Sequence, residues 1–388
     1  SGSIEFHVDG AATKVTCALD GRRPHTCSTR WTSSPLEPGH RVVTIRATGP
    51  GGTSTRVVRF RVLRQTILWG AWVDGTIYPG LLNPPWDMRA LDAFERSAGK
   101  RTSILFFGWP WKQAGKLQAF EPAIMDSIRA RGTIPMLDWL PWDTAAHGSP
   151  DQPLFQLGDI AGGSYDGYIR QFARASKTWG HPFFIRFMHE MNGNWYPWSE
   201  RRNGNRAGEY VKAWRHVVAI FRAEGATNVS FIWAPNIEYP GSQDMRRLYP
   251  GDGWVGWVGI DGYNWGPNPR QPDVWRSFSA AFLGTYNKLT RVTDRPMMIA
   301  ETASNEVGGS KARWIADVLG HQLPDVFTRV QAFVWFNWGR TSGLEWQIES
   351  SRSARDAFRR GIASPYYAAN DFAATGSGPV LPLPRTAP

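Results

Sequence analysis

Residues 1–65 alternate apolar and polar positions with the period of two that is typical of β-strands. Turn-forming pairs, Asp-Gly at 9–10 and 20–21 and Pro-Gly at 38–39, separate the alternating stretches. Those stretches are IEFHV, ATKVTCAL, RVVTIRAT and STRVVRFRVL. Short β-branched strands with turns between them predict a small all-β sandwich over residues 1–65.

From residue 67 the pattern changes to eight short apolar runs that recur along the rest of the chain. Helix-compatible stretches with apolar residues three and four apart lie between them, such as 88–99, 121–132, 165–180 and 208–225. The apolar runs are ILWGAW (67–72), TSILFF (102–107), IPMLDW (134–139), PFFIRFM (182–188), VSFIWA (229–234), GWVGID (256–261), PMMIAE (296–301) and AFVWF (332–336).

Continuous apolar strands alternating with helices predict a buried parallel sheet and therefore an α/β fold. Eight such units predict a (β/α)8 TIM barrel over residues 66–368. A doubly wound open sheet would need a glycine-rich phosphate loop after an early strand, and the sequence has no GxGxxG or GxxxxGK[ST] motif. The Pro- and Gly-rich residues 369–388 predict a disordered or surface-hugging tail.

Composition adds two features, an abundance of tryptophan and an excess of arginine. The chain has 21 Trp and a net charge of +11, with 36 Arg against 8 Lys. The basic residues are scattered instead of forming a run, which favours a solvated basic surface over a nucleic-acid track. Attraction to an acidic polysaccharide remains open.

Cys17 and Cys27 are the two cysteines, and the chain has no C-x-x-C motif. Their close spacing favours a local disulfide over a zinc site, and a disulfide indicates an oxidising compartment. No apolar run approaches the length of a membrane-spanning helix. The start SGSIEF looks processed, so we expect a secreted bacterial protein. We also expect a monomer that binds no metal or other cofactor.

Carboxylates and aromatic residues gather at the ends of the predicted barrel strands, where the active sites of such barrels lie. Glu190 and Glu301 end the fourth and seventh strands and are expected to face each other across the barrel mouth. Indole rings pack on the apolar faces of sugars, and glycosidic cleavage needs two carboxyl groups. The other candidate substrate-binding residues are Trp109, Asp138, Trp142, Arg186, His189, Asn192, Trp195, Tyr263, Trp265, Trp335 and Trp338.

Each candidate also has a purely structural explanation. Glu190 precedes a turn-favouring Asn-Gly pair, and Glu301 precedes a predicted helix start. Arg186 is suited to be a buried ion-pair partner of either glutamate. Two other hydrolase classes are excluded, because Gly193 occupies the position of the second zincin histidine and no G-x-S-x-G motif occurs.

Three segments resemble glycoside hydrolase family 26, and the similarity spans roughly residues 67–365. They are WGHPFFIRFMHEMNGNWYPW (179–198), YPGDGWVGWVGIDGYNW (249–265) and RPMMIAETAS (295–304). The resemblance implies a retaining mechanism, with Glu190 as the acid/base, Glu301 as the nucleophile and their carboxyls about 5–5.5 Å apart. It also implies that His189 precedes the acid/base, that Tyr263 contacts the nucleophile, and that Trp335, with Trp338 close by, forms the floor under the sugar.

Residues 1–65 resemble bacterial immunoglobulin-like modules. Few aromatic residues there look exposed (Phe6, Trp31 and Phe60), so a spacer is favoured over a carbohydrate-binding module.

The expected substrate is internal β-1,4-mannan, on the frequency of that activity in the family. Mixed-linkage β-glucan, β-1,3-xylan and exopolysaccharide are the alternatives within the family. A non-catalytic carbohydrate-binding protein is the alternative of another class.

Overall fold

The computed structural model describes residues 3–33, 36, 39–62, 66–267, 275–339, 344–368, 370 and 376–383. The chain forms two compact units that divide after Thr66, and the second unit runs from Ile67 to Leu383. Among the described residues no helix is long and apolar enough to cross a membrane.

The first unit consists of two small antiparallel sheets. The strands are β1 (Ser3–Glu5), β2 (Lys14–Leu19), β3 (His25–Thr26), β4 (Arg30–Thr32), β5 (Gly39–Gly49) and β6 (Gly52–Val62). One sheet pairs β1 with β4, and the other has the order β3-β2-β5-β6. Trp31, Val43 and Ile45 form the buried core together with the disulfide between Cys17 and Cys27. The predicted disulfide is therefore present, and the immunoglobulin-like assignment of this all-β unit stays a prediction.

The second unit is a closed barrel, as the eight apolar runs predict. Its parallel strands are β7 (Leu68–Val73), β8 (Ile104–Gln113), β10 (Ile134–Asp143), β11 (Phe183–Phe187), β12 (Val229–Trp233), β13 (Trp257–Asn264), β14 (Met297–Ser304) and β15 (Val330–Asn337). The strand β9 (Lys116–Leu117) pairs antiparallel with the end of β8. Pairing of β15 with β7 and of β8 with β10 closes the ring.

Helices cover the outside of the barrel. They are α1 (Met88–Ala98), α2 (Pro122–Arg129), α3 (Leu157–Ala161), α4 (Asp166–Trp179), α5 (Glu209–Glu224), α6 (Phe278–Leu289), α7 (Lys311–Asp317), which continues as a π-helix over Val318–Val326, and α8 (Arg352–Ile362). Short 3-10 turns lie at Gly75–Ile77, Thr144–Ala146, Pro153–Phe155, Met245–Arg247, Asp252–Trp254 and Ile348–Ser350. The helix α1 shows how local sequence sets the limits, because the Asp87 side chain caps its first turn and Gly99 ends it in a left-handed conformation.

Alternation along each strand separates two layers of core. On β11, Phe183, Ile185 and Phe187 pack outward against the helices, whereas Phe184 packs inside the barrel. Arg186 points inward with Phe184, and its guanidinium lies 4.6 Å from the centre of the Phe106 ring. The alternation that buries the core therefore also aims a charged side chain into the barrel.

Part of the proline-rich tail closes the end of the barrel at which the strands begin. Val380 is buried in the interior cluster. Its carbonyl oxygen accepts hydrogen bonds from Trp257 Nε1 at 2.9 Å and Ser230 Oγ at 3.2 Å, both near the starts of their strands. This differs from the expected disordered or surface-hugging tail, because an apolar residue between the prolines fills the end of the barrel.

Candidate active site

Glu190 lies in a strained turn just beyond the end of β11. Met188 and Glu190 have φ angles of +45° and +52°. This left-handed region costs a non-glycine residue about 1–3 kcal/mol, and such strain concentrates at functional sites. The backbone N–H of Glu190 donates to the carbonyl oxygen of Ala234 at 2.7 Å, which fastens the turn to the end of β12.

Two neutral donors hold the Glu190 carboxyl group. Trp195 Nε1 donates to Oε2 at 2.7 Å, and Asn236 Nδ2 donates to Oε1 at 2.6 Å. The residue is 8% exposed, so one small part of it faces the barrel mouth. Glu190 is thus a fixed, nearly buried carboxyl with no cation in direct contact among the described residues.

Glu301, in the middle of β14, has a different set of donors. Arg186 Nη2 donates to Oε2 at 2.6 Å, and the Tyr263 hydroxyl donates to Oε1. The residue is 9% exposed. The expected contact between Tyr263 and Glu301 is therefore present, as is the ion pair between Arg186 and a glutamate.

Arg186 is the centre of a buried charge cluster. It is fully buried, and besides Glu301 it contacts Asp138 and Asp261. Its Nη2 lies 2.8 Å from Asp138 Oδ2, and its Nη1 lies 2.8 Å from Asp261 Oδ1. One guanidinium thus faces three carboxyl groups, and its partners hold it rigidly below Glu301.

Burial and charge shift the proton equilibria of both glutamates. Burial raises the pKa of Glu190 above its ordinary value, although the hydrogen bonds from Asn236 and Trp195 oppose the shift. Burial also raises the pKa of Glu301 to about 8, where Arg186 opposes the shift and the charges of Glu190 and Asp138 add to it. Because the charge of each carboxyl affects the other, the two glutamates titrate as a coupled pair. Because the guanidinium contacts Glu301 directly, the charge is favoured there and the proton on Glu190.

His189 lies beside the pair as a neutral imidazole. Burial lowers its pKa well below the ordinary value, and the charge of Arg186 adds to the shift. Its Nε2 is 3.0 Å from the Tyr196 hydroxyl, and its Nδ1 is 3.6 Å from Asp138 Oδ2. His189 therefore fixes Tyr196 at the edge of the site without adding charge.

Four of the predicted aromatic residues are partly exposed at the end of the barrel that carries Glu190 and Glu301. They are Trp142, Trp195, Trp265 and Trp338. The ring of Trp195 lies 5.7 Å from that of Tyr239. Those of Trp265 and Trp338 lie 4.8 and 5.4 Å from the ring of Trp346. Flat apolar surfaces with polar edges therefore border the two carboxyls.

The prediction that Trp335 forms a sugar floor is wrong. Its side chain is fully buried and packs outward against Trp314 and Phe358, and its Nε1 donates to the carbonyl oxygen of Trp346. Strand alternation explains the error, because Val334 points into the barrel and its neighbour Trp335 must therefore point away. Trp338, beyond the end of β15, is the partly exposed alternative.

Three other residues that were predicted to bind substrate are buried and hold neighbouring residues in place. Asn192 is fully buried, and its side-chain amide bonds both the backbone N–H and the carbonyl of Asn236, so it supports Asn236. Arg186 and Asp138 are occupied with each other and with the charge cluster. Their contribution to the site is to hold other side chains in place.

Trp109 is also buried, with 6% of its surface exposed. It stacks nearly parallel to Trp86, with 6.3 Å between the ring centres, and Trp86 is 54% exposed. The indole available for a ligand is therefore Trp86, on the loop after β7.

Sequence reasoning gave Asn236 no role in the site, and it missed Trp346 and Trp86. Asn236 follows β12 closely, so its place at a strand end was a usable signal. Trp346 comes from a loop and stacks on Tyr263, with ring centres 4.1 Å apart. Nothing in the local pattern around Trp346 indicates that contact.

Comparison with known proteins identifies a related segment of the barrel. Residues 165–315, which include Glu190 and Glu301, match the model of Glycosyl hydrolase family 26. The chain is 34% identical over 282 residues to Endoglucanase H of Acetivibrio thermocellus, covering 71% of this chain and 29% of that protein. It is 28% identical over 128 residues to the Mannan endo-1,4-beta-mannosidase of Bifidobacterium adolescentis, covering 30% of this chain and 13% of that protein.

The barrel fold is shared with a solved structure. The Cellulomonas fimi endo-beta-1,4-mannanase double mutant superposes with a TM-score of 0.59 at 18% identity, covering 82% of this chain and 76% of that one. The chain spans less than a third of the length of the two curated relatives.

Proposed function

We propose that the protein is a retaining endo-glycosidase with Glu190 as acid/base and Glu301 as nucleophile, and the match of residues 165–315 to the model of Glycosyl hydrolase family 26 supports this proposal. The observation that carries the proposal is the difference between the two carboxyls. Glu301 receives a guanidinium and a phenol, whereas Glu190 receives two neutral donors. One carboxylate and one carboxylic acid at the same barrel mouth are the pair that glycosidic cleavage requires.

The first step transfers the sugar to the protein. Glu190 gives its proton to the glycosidic oxygen as the bond from that oxygen to the anomeric carbon breaks. A Glu301 oxygen bonds to the anomeric carbon, which forms a glycosyl ester and releases the shortened chain as an alcohol. In the second step, water gives a proton to Glu190 and its oxygen replaces Glu301 at the same carbon.

The donors suit these changes of charge. Glu190 becomes a carboxylate after the first step, and the hydrogen bonds from Asn236 and Trp195 then stabilise its charge. Glu301 loses its charge in the ester, which weakens its attraction to Arg186. That lost attraction favours hydrolysis of the ester, because Glu301 recovers its contact with Arg186 when it leaves.

We propose β-1,4-mannan as the first substrate to test, because two curated relatives carry the name mannan endo-1,4-beta-mannosidase. The match to Endoglucanase H covers a larger share of this chain at higher identity. A β-linked glucan, mixed-linkage glucan included, is therefore the second candidate. The exposed Trp86 ring extends the aromatic surface on the loop after β7, which supports binding of a chain longer than the reacting sugar.

The test compares wild type with Glu301→Gln and Glu190→Gln on mannan, mixed-linkage glucan, β-1,3-xylan and an acidic exopolysaccharide. We expect short oligosaccharides from wild type and a rate lower by roughly a thousandfold or more in each variant. On an aryl glycoside, whose leaving group departs without a proton, azide should rescue Glu190→Gln, because this anion attacks the glycosyl ester without a base and gives a glycosyl azide. Proton NMR of the first product should show the β configuration.

Glu238→Gln serves as the matched control, because Glu238 follows β12 at the same end of the barrel but pairs with Lys288. It should retain wild-type rates. An α-configured first product would contradict the retaining mechanism, and full activity of Glu301→Gln would contradict the nucleophile. Sugar binding by wild type without cleavage of any glycan would support a non-catalytic binding protein instead.

We also infer that the protein acts outside the cytoplasm. The disulfide between Cys17 and Cys27 supports this, since such bonds persist in oxidising compartments. The absence of a nucleic-acid partner and the monomeric state remain predictions.

A further inference from the structure

Positive charge is concentrated in the small N-terminal unit. Residues 1–66 contain ten Lys and Arg and four Asp and Glu, a net charge of +6 out of +11 for all 388 residues. About a sixth of the chain therefore carries more than half of its net charge. The sequence analysis found scattered basic residues without a run, and it did not compare the net charges of the two units.

Strand alternation places three of these cations on one face. Val43 and Ile45 of β5 point into the core of the unit, so Arg46 points to the other side of the sheet. The register places Arg46 opposite Thr16 of β2, and Arg59 of β6 opposite Val42. We call this surface of the sheet β3-β2-β5-β6, opposite the core, the outer face. Its described residues include Lys14, Thr16, Thr44, Arg46, Thr48, Thr55, Val57 and Arg59.

The cations of the outer face have no ion-pair partners among the described residues. Lys14, Arg46 and Arg59 are all exposed. Three acidic residues in the described part of the unit contact other side chains: Asp20 lies 3.1 Å from Arg41, Glu5 lies 3.9 Å from Arg30, and Asp9 lies 3.2 Å from His7. Unneutralised charges on neighbouring strands create a local positive potential that attracts a polyanion.

The remaining chemistry of the outer face favours a glycan over a nucleic acid. Threonine hydroxyls lie between the cations, and they both donate and accept hydrogen bonds as sugar hydroxyls do. The aromatic side chains Phe6, Trp31 and Phe60 contribute to the core of the unit, so the described outer face offers no Phe, Tyr or Trp ring for base stacking. A sheet of four strands is also wider than the helix or two-stranded ribbon that enters the major groove of DNA.

We propose that the outer face binds an anionic polysaccharide, a glycan with carboxylate groups, and so retains the enzyme on acidic polymers. Carboxylates of the glycan pair with Lys14, Arg46 and Arg59, and its hydroxyls bond the intervening threonines. Binding through charge also explains how a module without exposed aromatic rings recognises carbohydrate. This function goes beyond catalysis by the barrel and does not depend on the identity of the barrel's substrate.

The test uses the full chain with Lys14, Arg46 and Arg59 all changed to Gln. Binding to polygalacturonate, to the neutral glycan dextran and to double-stranded DNA is measured by affinity electrophoresis at low and moderate salt. We expect wild type to bind polygalacturonate in preference to both others and to lose affinity as salt rises. The triple variant should bind polygalacturonate about tenfold more weakly.

The matched control changes Arg101, Arg291 and Arg360 of the barrel to Gln. These three are exposed, have no ion pair among the described residues, and give the same change in net charge. The control should keep its affinity within about twofold, and both variants should keep wild-type rates on a neutral substrate of the barrel. Equal losses in the two variants, no binding of polygalacturonate by wild type, or tighter binding of DNA would each overturn the proposal.

Discussion

At the scale of single residues, the two glutamates differ through their neighbours. Glu301 contacts Arg186 and Tyr263, and Glu190 contacts Asn236 and Trp195. Asn236 in turn is clamped by Asn192 through its backbone. The proposed acid therefore depends on a buried asparagine that has no access to the sugar.

Removing the Asn236 side chain should shift the pH dependence of the proposed reaction. Its hydrogen bond lowers the pKa of Glu190 against the effect of burial. In Asn236→Ala the carboxyl should hold its proton more tightly, so the alkaline limb of kcat/KM should move to higher pH. The rate at neutral pH should fall by about tenfold, the contribution of one hydrogen bond to a charged group.

The pH profile is compared with that of Asn194→Ala, an exposed residue on the loop that carries Glu190. Asn194→Ala should leave both the limb and the rate unchanged. An alkaline limb that stays in place in Asn236→Ala would mean that Asn236 does not control the proton on Glu190.

At the scale of elements, the loop between β15 and α8 is tied to the first residue of α7. Lys311 is fully buried, and its Nζ donates to the carbonyl oxygens of Glu345 and Gln347 and to Ser350 Oγ. Trp346, which stacks on Tyr263, lies between the two carbonyls. One buried amine thus holds the strip of chain that carries a ring of the site.

Lys311→Met should loosen this loop and lower the free energy of unfolding by about 2–3 kcal/mol, because the buried acceptors lose their donor. Burial lowers the pKa of Lys311 from 10.5 to about 7. Between these values the unfolded state binds more protons than the folded state, so this group makes the wild type more stable as pH rises. Lys311→Met should not show this increase of the free energy of unfolding with pH.

Urea unfolding across this pH range measures both effects, with Lys212→Met on the exposed side of α5 as the control. KM for the glycan should rise in Lys311→Met and remain constant in Lys212→Met. Identical stability curves for Lys311→Met and wild type would show that the hydrogen bonds of Lys311 do not hold this loop in place.

At the scale of the whole molecule, the barrel depends on a segment far along the chain from its strands. Val380 fills the end of the barrel where the strands begin, and its carbonyl bonds Trp257 and Ser230. The proposed active site lies at the other end, where the strands finish. Stability and catalysis are therefore supported at opposite ends of one barrel.

Deletion of residues 376–388 should lower the free energy of unfolding of the barrel by about 2–4 kcal/mol, through lost burial of Val380 and two lost hydrogen bonds. KM should change little below the melting temperature. Thermal unfolding is compared with a shorter deletion, residues 384–388, which leaves Val380 in place. A barrel of unchanged stability in the longer deletion would show that the segment is dispensable.

The sequence by itself determined the eight barrel strands, several helices, the position of Glu190 just beyond the fourth barrel strand and the position of Glu301 on the seventh. These features follow from periodicity and turn chemistry, which act over a few residues and are written locally in the chain. Tertiary structure alone decided which donors surround each carboxyl, because Arg186 and Glu301 lie 115 positions apart. It also decided that Trp335 faces the helices, that Asn192 is a clamp and that Val380 closes the barrel. Such outcomes depend on strand register and on contacts between distant segments, and a local pattern carries no information about either.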